Sequence, residues 1–353
     1  MTVVDPEFWR GRRVLVTGHT GFKGAWLSLW LQSLGARVTG FSAGAPARPS
    51  LYEAARVSEG IESVAGDVCD HAAIVRAVCQ AAPEVVIHMA AQSLVRRSFA
   101  APRETFEANV MGTVNALEAV RLHGDEVRAV VCVTSDKCYE NDGESRVHRE
   151  DDPLGGHDPY SSSKACAELV AQAFRRSFFD DATVASARAG NVIGGGDWAQ
   201  DRLVPDVMRA ALAGEVLHVR NPASIRPWQH VLNPLSGYLV LAQALFDSTE
   251  FAAAWNFGPP DDDARSVDWL VRELVQLWPD RLYWSVDDGA QPSEAQRLEI
   301  DSSQARTRLG WRPLVDLRGG LEATVAWYRQ LRDGADMRAV TLGQIAELAQ
   351  VSA

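Results

Sequence analysis

Apolar residues along this chain fall in short unbroken runs, and longer stretches with helical spacing separate them. Arg13 to Thr17, Arg37 to Phe41, Val85 to His88, Ala129 to Thr134 and Thr183 to Ala187 predict strands. Phe22–Leu34, Ala72–Ala81, Pro102–Leu122 and Ser161–Phe178 predict helices between them. Strands alternating with helices of this length imply βαβ units and a parallel sheet, so the fold class is α/β. The strand runs are apolar throughout rather than alternating, as in a sheet covered on both faces. Beyond about Gly190 the rhythm breaks. Gly194-Gly195-Gly196-Asp197-Trp198, Asn221-Pro222 and Gly258-Pro259-Pro260 introduce turn-forming residues, with short strands and helices interleaved to the end. No internal repeat or low-complexity linker interrupts the chain.

Composition narrows the classes. At 353 residues, with 46% apolar and 23% charged positions, the chain reads as one large globular unit or one and a half. Its net charge of −11 argues against a nucleic-acid partner. No apolar run matches a bilayer-spanning helix, so no membrane partner is expected. Met1-Thr2-Val3-Val4-Asp5-Pro6 lacks the basic and apolar regions of a signal peptide. Five cysteines (Cys69, Cys79, Cys132, Cys138, Cys166), an odd number without C-x-x-C spacing, read as reduced thiols in a cytoplasmic protein. No metal cluster is evident.

The first strand runs directly into Gly18-His19-Thr20-Gly21-Phe22-Lys23-Gly24, which opens the first helix. Glycines at that junction let backbone N–H groups approach a pyrophosphate at the helix N-terminus. The spacing is G-x-x-G-x-x-G; a tight βα turn is the plainer alternative. The expected architecture is therefore a Rossmann-type doubly wound parallel sheet with a smaller C-terminal α+β substrate lobe. Residues 1–190 form the dinucleotide-binding domain, and 191–353 are mainly the substrate-binding lobe, with the chain free to cross back. No acid follows the second strand to hold a ribose 2′-OH. Ser42 could bond that hydroxyl, and Arg48 could instead accommodate a 2′-phosphate, so these residues leave NAD and NADP both open. Asp67, in Gly66-Asp67-Val68, either accepts from an adenine amino group or caps the helix before Ala72. Ala90-Ala91-Gln92 follow a buried strand and are small enough for a cofactor to lie against the backbone.

Two further motifs carry chemistry. Tyr160-Ser161-Ser162-Ser163-Lys164 puts a phenol and an ammonium on one helix face. A lysine one turn away makes a tyrosine a usable base for oxidising an alcohol. Thr134-Ser135-Asp136-Lys137-Cys138-Tyr139 ends a buried strand, where open α/β sheets place their active sites, and adds an acid and a candidate base. A simple dehydrogenase needs neither. Lys137 could serve as that base only if burial or a neighbouring cation lowers its pKa; otherwise it forms an ion pair with Asp136 or Glu140.

These motifs resemble the extended short-chain dehydrogenase/reductase superfamily over about Arg13 to Trp327. Within it, the phosphate loop, Thr134 to Asn141, Leu154 to Tyr160, Gly194 to Trp198 and Arg226 to Val231 are similar to the CDP-D-glucose 4,6-dehydratases. Related dTDP-glucose enzymes carry Asp-Glu where this chain has Asp136-Lys137. The resemblance implies C4 oxidation of a nucleotide-bound glucose, loss of water across C5–C6 and return of the hydride to C6. It gives Tyr160 the C4 proton, Lys164 the support of Tyr160 and the nicotinamide ribose, and Ser135 or Thr134 the C4 oxygen. Lys137 takes the C5 proton and Asp136 protonates the leaving hydroxyl. It implies NAD as cofactor, with NADP not excluded, and adds Phe22, Lys23, Val68 and Asn109 to the cofactor contacts. Asn191, Arg202, Arg220 and Arg226 are the candidates for the substrate diphosphate, CDP-glucose being the expected partner. The Pro102–Leu122 and Ser161–Phe178 helices are the superfamily's dimer-forming pair, implying a homodimer or homotetramer. Alternatives are a dTDP- or GDP-sugar 4,6-dehydratase, or a nucleotide-sugar C4 epimerase, which would not need Asp136-Lys137. A silent cofactor-sensing protein would be expected to lose Tyr160 or Lys164.

Overall fold

A computed structural model describes residues 3–350 except 46, 142–145, 180–182, 261–262, 288 and 290–297. Seven strands form one parallel sheet: β1 (Arg13–Thr17), β2 (Arg37–Ser42), β3 (Glu62–Ala65), β4 (Val85–His88), β5 (Ala129–Val133), β6 (Thr183–Arg188) and β7 (Ala254–Asn256). Their order across the sheet is β7-β6-β5-β4-β1-β2-β3, so the strand order reverses beside β1. Ligands of open α/β sheets bind at such a switch point.

The two sheet faces are apolar for separate reasons. Val14, Val16, Val85, Ile87, Val131 and Ala185 point to one side, where α1 (Phe22–Ser33) covers them with Trp26, Leu27 and Trp30. Leu15, Val86, Val130, Cys132 and Val184 point to the other, against α2 (His71–Ala81) and α3 (Gly112–His123). α4 (Pro159–Ser177) adds Ala171 on that side. Asp70 caps α2, accepting from Ala73 N, while Asp67 turns back onto Cys69 N. The cap before Ala72 is thus Asp70, whose side chain reaches the first helical turn. The long 102–122 helix of the sequence reading is broken in two: Pro102–Phe106 passes through one π turn, Glu107–Met111, before α3 begins.

Beyond residue 190 the chain builds the second lobe and crosses back. α5 (Leu203–Ala213), α7 (Val267–Leu277) and α8 (Leu317–Arg332) belong to that lobe, and α6 (Leu232–Asp247) lies between α5 and α7 in the chain. α6 packs on β5 and β6, and β7 joins the sheet beside β6, pairing Ala254, Trp255 and Asn256 with Ser186, Ala187 and Arg188. One continuous apolar cluster runs from the sheet to Trp198, Val207, Leu270, Trp311 and Trp327, so both lobes share a core. α9 (Met337–Gln350) returns to α1. Among the described residues no helix is long and apolar enough to cross a membrane.

Candidate active site

The phosphate loop is built by close backbone approach. β1 runs into Gly18, whose φ of +75° lies in the left-handed region that glycine adopts freely. A Cβ there would fall 2.8 Å from Ala90 N, and one at Gly24 would fall 2.2 Å from Gly18 O. His19 turns inward and takes the space that Gly40 leaves by lacking a side chain, bonding Ser63 Oγ at 2.8 Å. Thr20 bonds Ser42 Oγ at 2.7 Å and donates to Gly44 O, so the Ser42 hydroxyl is held by the loop itself. Arg48 is exposed and lies 3.5 Å from Glu53. This bare backbone at the N-terminus of α1, on the switch point of the sheet, fits a dinucleotide pyrophosphate. Asn109 ties the rim together. Its side chain accepts from Gln92 N and donates to Gln92 O and Ser163 Oγ at 2.8–3.0 Å. Val68 packs on Gly112.

The helix bearing Tyr160 begins where its sequence dictates. Asp158 accepts from the Ser161 backbone N–H and hydroxyl, and Pro159 occupies the first turn. Tyr160, Lys164 and Glu168 therefore stack at one-turn intervals, all buried. Ser135 caps the single 3-10 turn Asp136–Cys138 by accepting from Lys137 N at 3.2 Å, and donates to Asp136 Oδ1 at 3.0 Å.

These elements meet at a cleft of about 300 Å³. Phe22, Lys23, Thr134, Ser135, Asp136, Lys137 and Tyr160 line one side; Asn191, Arg202, Arg220 and Arg226 line the other. The remaining candidates, Gly18, Gly21, Gly24, Ser42, Asp67, Val68, Ala90, Ala91, Gln92, Asn109 and Lys164, are not part of that lining. Asn191 holds a φ of +48°, a conformation asparagine tolerates better than most residues. Arg202 donates to Asp197 and Ser93, and Arg220 to Asp201 and Asp206. Arg226 is buried and donates to Ile225 O. Lys137 is half-buried and pairs with neither Asp136 nor Glu140 among the described residues; Glu140 bonds His157 at 2.6 Å. His88 bonds Thr17 and Thr113, and His230 packs edge-on against Trp26.

The electrostatics set each proton. Burial lifts the Tyr160 phenol to about 12; a hydrogen bond with Ser135 and the Arg202 charge oppose it, while Asp136 adds to it. Arg202, from the second lobe, is thus a cation that helps to hold this phenol down. Lys164 in turn pushes Lys23 and His88 down. Burial lowers Lys164 to about 8, with Glu168 the largest opposing influence. Burial also lowers Lys23 to about 7; Lys164 and Arg202 add repulsion, and Asp136 resists. The sequence holds a signal that motif reading passes over. The chain contains three lysines, Lys23, Lys137 and Lys164, against 32 arginines, and all three stand here. A guanidinium keeps its charge, whereas an ammonium can surrender a proton when it is buried.

A doubly wound sheet with a Tyr-x-x-x-Lys helix at its switch point defines the class. The chain belongs to the NAD dependent epimerase/dehydratase family, whose sequence model matches residues 14–254. It is 50% identical over 343 residues to the CDP-glucose 4,6-dehydratase of Salmonella typhimurium, covering 95% of both chains. It is 32% identical over 276 residues to a dTDP-glucose 4,6-dehydratase of Streptomyces griseus, covering 76% of this chain and 77% of that one. Among solved structures it resembles the dTDP-glucose 4,6-dehydratase of Streptomyces venezuelae with NAD bound. The TM-score is 0.77 at 25% identity, over 92% of this chain and 99% of the other.

Proposed function

We propose that this chain converts CDP-D-glucose to CDP-4-dehydro-6-deoxy-D-glucose, as an NAD-dependent hydro-lyase. The observation that carries the reading is that Asp136 and Lys137, which a dehydrogenase or epimerase does not need, line the same cleft as Tyr160 and Ser135. NAD, when bound on the glycine loop, supplies the hydride acceptor for C4, the hydride donor for C6 and a positive ring beside the phenol. Tyr160 takes the C4 hydroxyl proton. Thr134 turns its hydroxyl to the buried Glu168, whereas Ser135 stands between Tyr160 and Asp136, so Ser135 is the group that holds the C4 oxygen. Once C4 is a ketone the C5 proton becomes acidic. Lys137 removes it and Asp136 protonates the departing C6 hydroxyl, so water leaves across C5–C6. Asn191, Arg202, Arg220 and Arg226 face the diphosphate from the second lobe.

Phe99, Phe106, Met111 and Leu169 expose apolar side chains where the 95–111 segment packs beside α4, which suits a homodimer or homotetramer formed on that face. All five cysteines are free, as a cytoplasmic setting requires. The test is incubation with CDP-glucose without added reductant, followed by mass spectrometry. Loss of one water with the nucleotide intact supports the reading, and CDP-glucose should exceed dTDP- and UDP-glucose in kcat/KM. An unchanged CDP-glucose alongside a dehydrated dTDP-glucose overturns the nucleotide assignment.

A further inference from the structure

We propose that Glu168 is a positioning residue of the active site, a single buried carboxylate that ties the 134–139 and 186–191 segments to its own helix and stands as the counter-charge of Lys164. The inference rests on the roles assigned above to Tyr160 and Lys164. Glu168 and Arg188 are each 3% exposed. One carboxylate oxygen accepts the Thr134 hydroxyl; the other accepts from Ser186 Oγ at 2.6 Å and Arg188 at 2.8 Å. Arg188 also donates to the Tyr139 hydroxyl at 2.7 Å and lies over that ring at 4.8 Å, and Tyr139 donates to Asn256 Oδ1 at 2.6 Å.

Each anchor sits next to a site residue. Thr134 adjoins Ser135, Tyr139 closes the turn of Asp136 and Lys137, and Arg188 lies three residues before Asn191. Glu168 itself follows Lys164 by one helical turn. A buried charge pair is weak evidence for stability, because desolvation consumes most of the attraction, but it fixes geometry well. The second effect is electrostatic. The groups facing Lys164 are Glu168 on its own helix, Cys132 on β5, Cys138 on the 3-10 turn, His88 on β4 and Lys23 on α1. Burial pushes Cys132 up to about 12 and Cys138 well above its usual range, and pushes His88 down to about 3. At neutral pH those three carry no charge, which leaves Glu168 as the anion facing Lys164.

Because only three lysines exist, protein labelled with [ε-13C]lysine gives three signals, assignable by one substitution each. Glu168→Gln is near-isosteric and retains hydrogen-bonding capacity. We expect Lys164 to titrate about one unit lower in this variant, and Glu168→Asp to restore most of the shift. With the resemblance's role for Lys164, a cation supporting Tyr160, rate should be lost as pH rises through its pKa of about 8. That alkaline limb should move to lower pH in Glu168→Gln and stay near the wild-type position in Glu168→Asp. Lys164 titrating unchanged in Glu168→Gln, with kcat lowered evenly at all pH, would reduce Glu168 to scaffolding. Should Glu168→Gln not fold, Glu168→Gln/Arg188→Gln removes both buried charges, and a smaller fall in the same direction is expected; no fall overturns the proposal. A wild type without CDP-glucose turnover refutes the functional reading, while the lysine titration still decides this one.

Discussion

Gly190 offers the sharpest perturbation of the candidate acid. A Cβ added there would lie 1.7 Å from Asp136 Oδ2 and 1.9 Å from its Cγ. The backbone at Gly190 is outside the left-handed region, so alanine meets no conformational obstacle. The conflict is therefore entirely with the carboxyl, which is 1% exposed and has nowhere cheap to go except the cleft. To reach an ordinary contact of 3.4 Å it must retreat by about 1.7 Å. Misplacing a reacting group by about 1 Å costs roughly 100-fold, so Gly190→Ala should lower kcat for dehydration at least about 100-fold. KM should change little, because the arginines proposed to face the diphosphate are untouched. Overpacking should also cost about 1–3 kcal/mol of stability. The discriminating assay is a double-mutant cycle read by thermal melts and by mass spectrometry. Asp136→Ala removes the clashing atoms, so the double variant should recover more than about 1 kcal/mol relative to additivity. A Gly190→Ala enzyme with wild-type kcat and melting point, or additive stability in the cycle, would refute the packing of Asp136 on Gly190 and the role built on it.

Four other outcomes are expected. Tyr160→Phe should abolish turnover while cofactor binding, followed by calorimetry, persists; normal activity removes the phenolate role. In Lys137→Ala, solvent-deuterium exchange at C5 should fail before C4 oxidation does, and an unchanged rate assigns Lys137 no part in the chemistry. Arg202→Gln withdraws a charge that lowers the Tyr160 pKa, so the rising limb of the rate–pH profile should move to higher pH; an unmoved limb shows that Arg202 does not act on the phenol. Gly24→Ala puts a methyl 2.2 Å from Gly18 O and should weaken NAD binding at least tenfold by calorimetry. Wild-type affinity would show that the loop does not hold the pyrophosphate.

Unbroken apolar runs are visible without structure, which is why β1, β2, β4, β5 and β6 stand within a residue or so of their predicted places. β7 is not visible in that way. Three residues, Ala254–Asn256, carry too little periodicity to announce a strand, and their place beside β6 depends on α6 packing first. The π turn within the 102–122 stretch has no composition signal either, since its residues are ordinary helix formers. At the site, motif spacing brings Tyr160, Lys164 and the strand-end hydroxyls together because they are local in sequence. The charge of Arg202 near Tyr160, the packing of Gly190 on Asp136 and the bonds of Glu168 with Thr134 and Arg188 join separate elements, and no single-chain periodicity encodes them. Ser42 shows the converse. Its placement at the end of β2 is readable, but its hydroxyl is engaged by Thr20, a partner chosen by the loop's three-dimensional path.

The confinement of lysine to the candidate site has a consequence for the chemist. Elsewhere the chain meets its need for cations with arginine, so lysine-directed acylating or aldehyde reagents find no lysine target outside the candidate site. Lys23, lowered to about 7 by burial, is substantially unprotonated near neutral pH and so already nucleophilic, whereas Lys164 loses its proton only as pH rises through about 8. Apart from the α-amine, whose ordinary pKa is about 8, an amine-selective probe should therefore report on the candidate site. Protection by a bound nucleotide sugar would read out occupancy of the cleft directly.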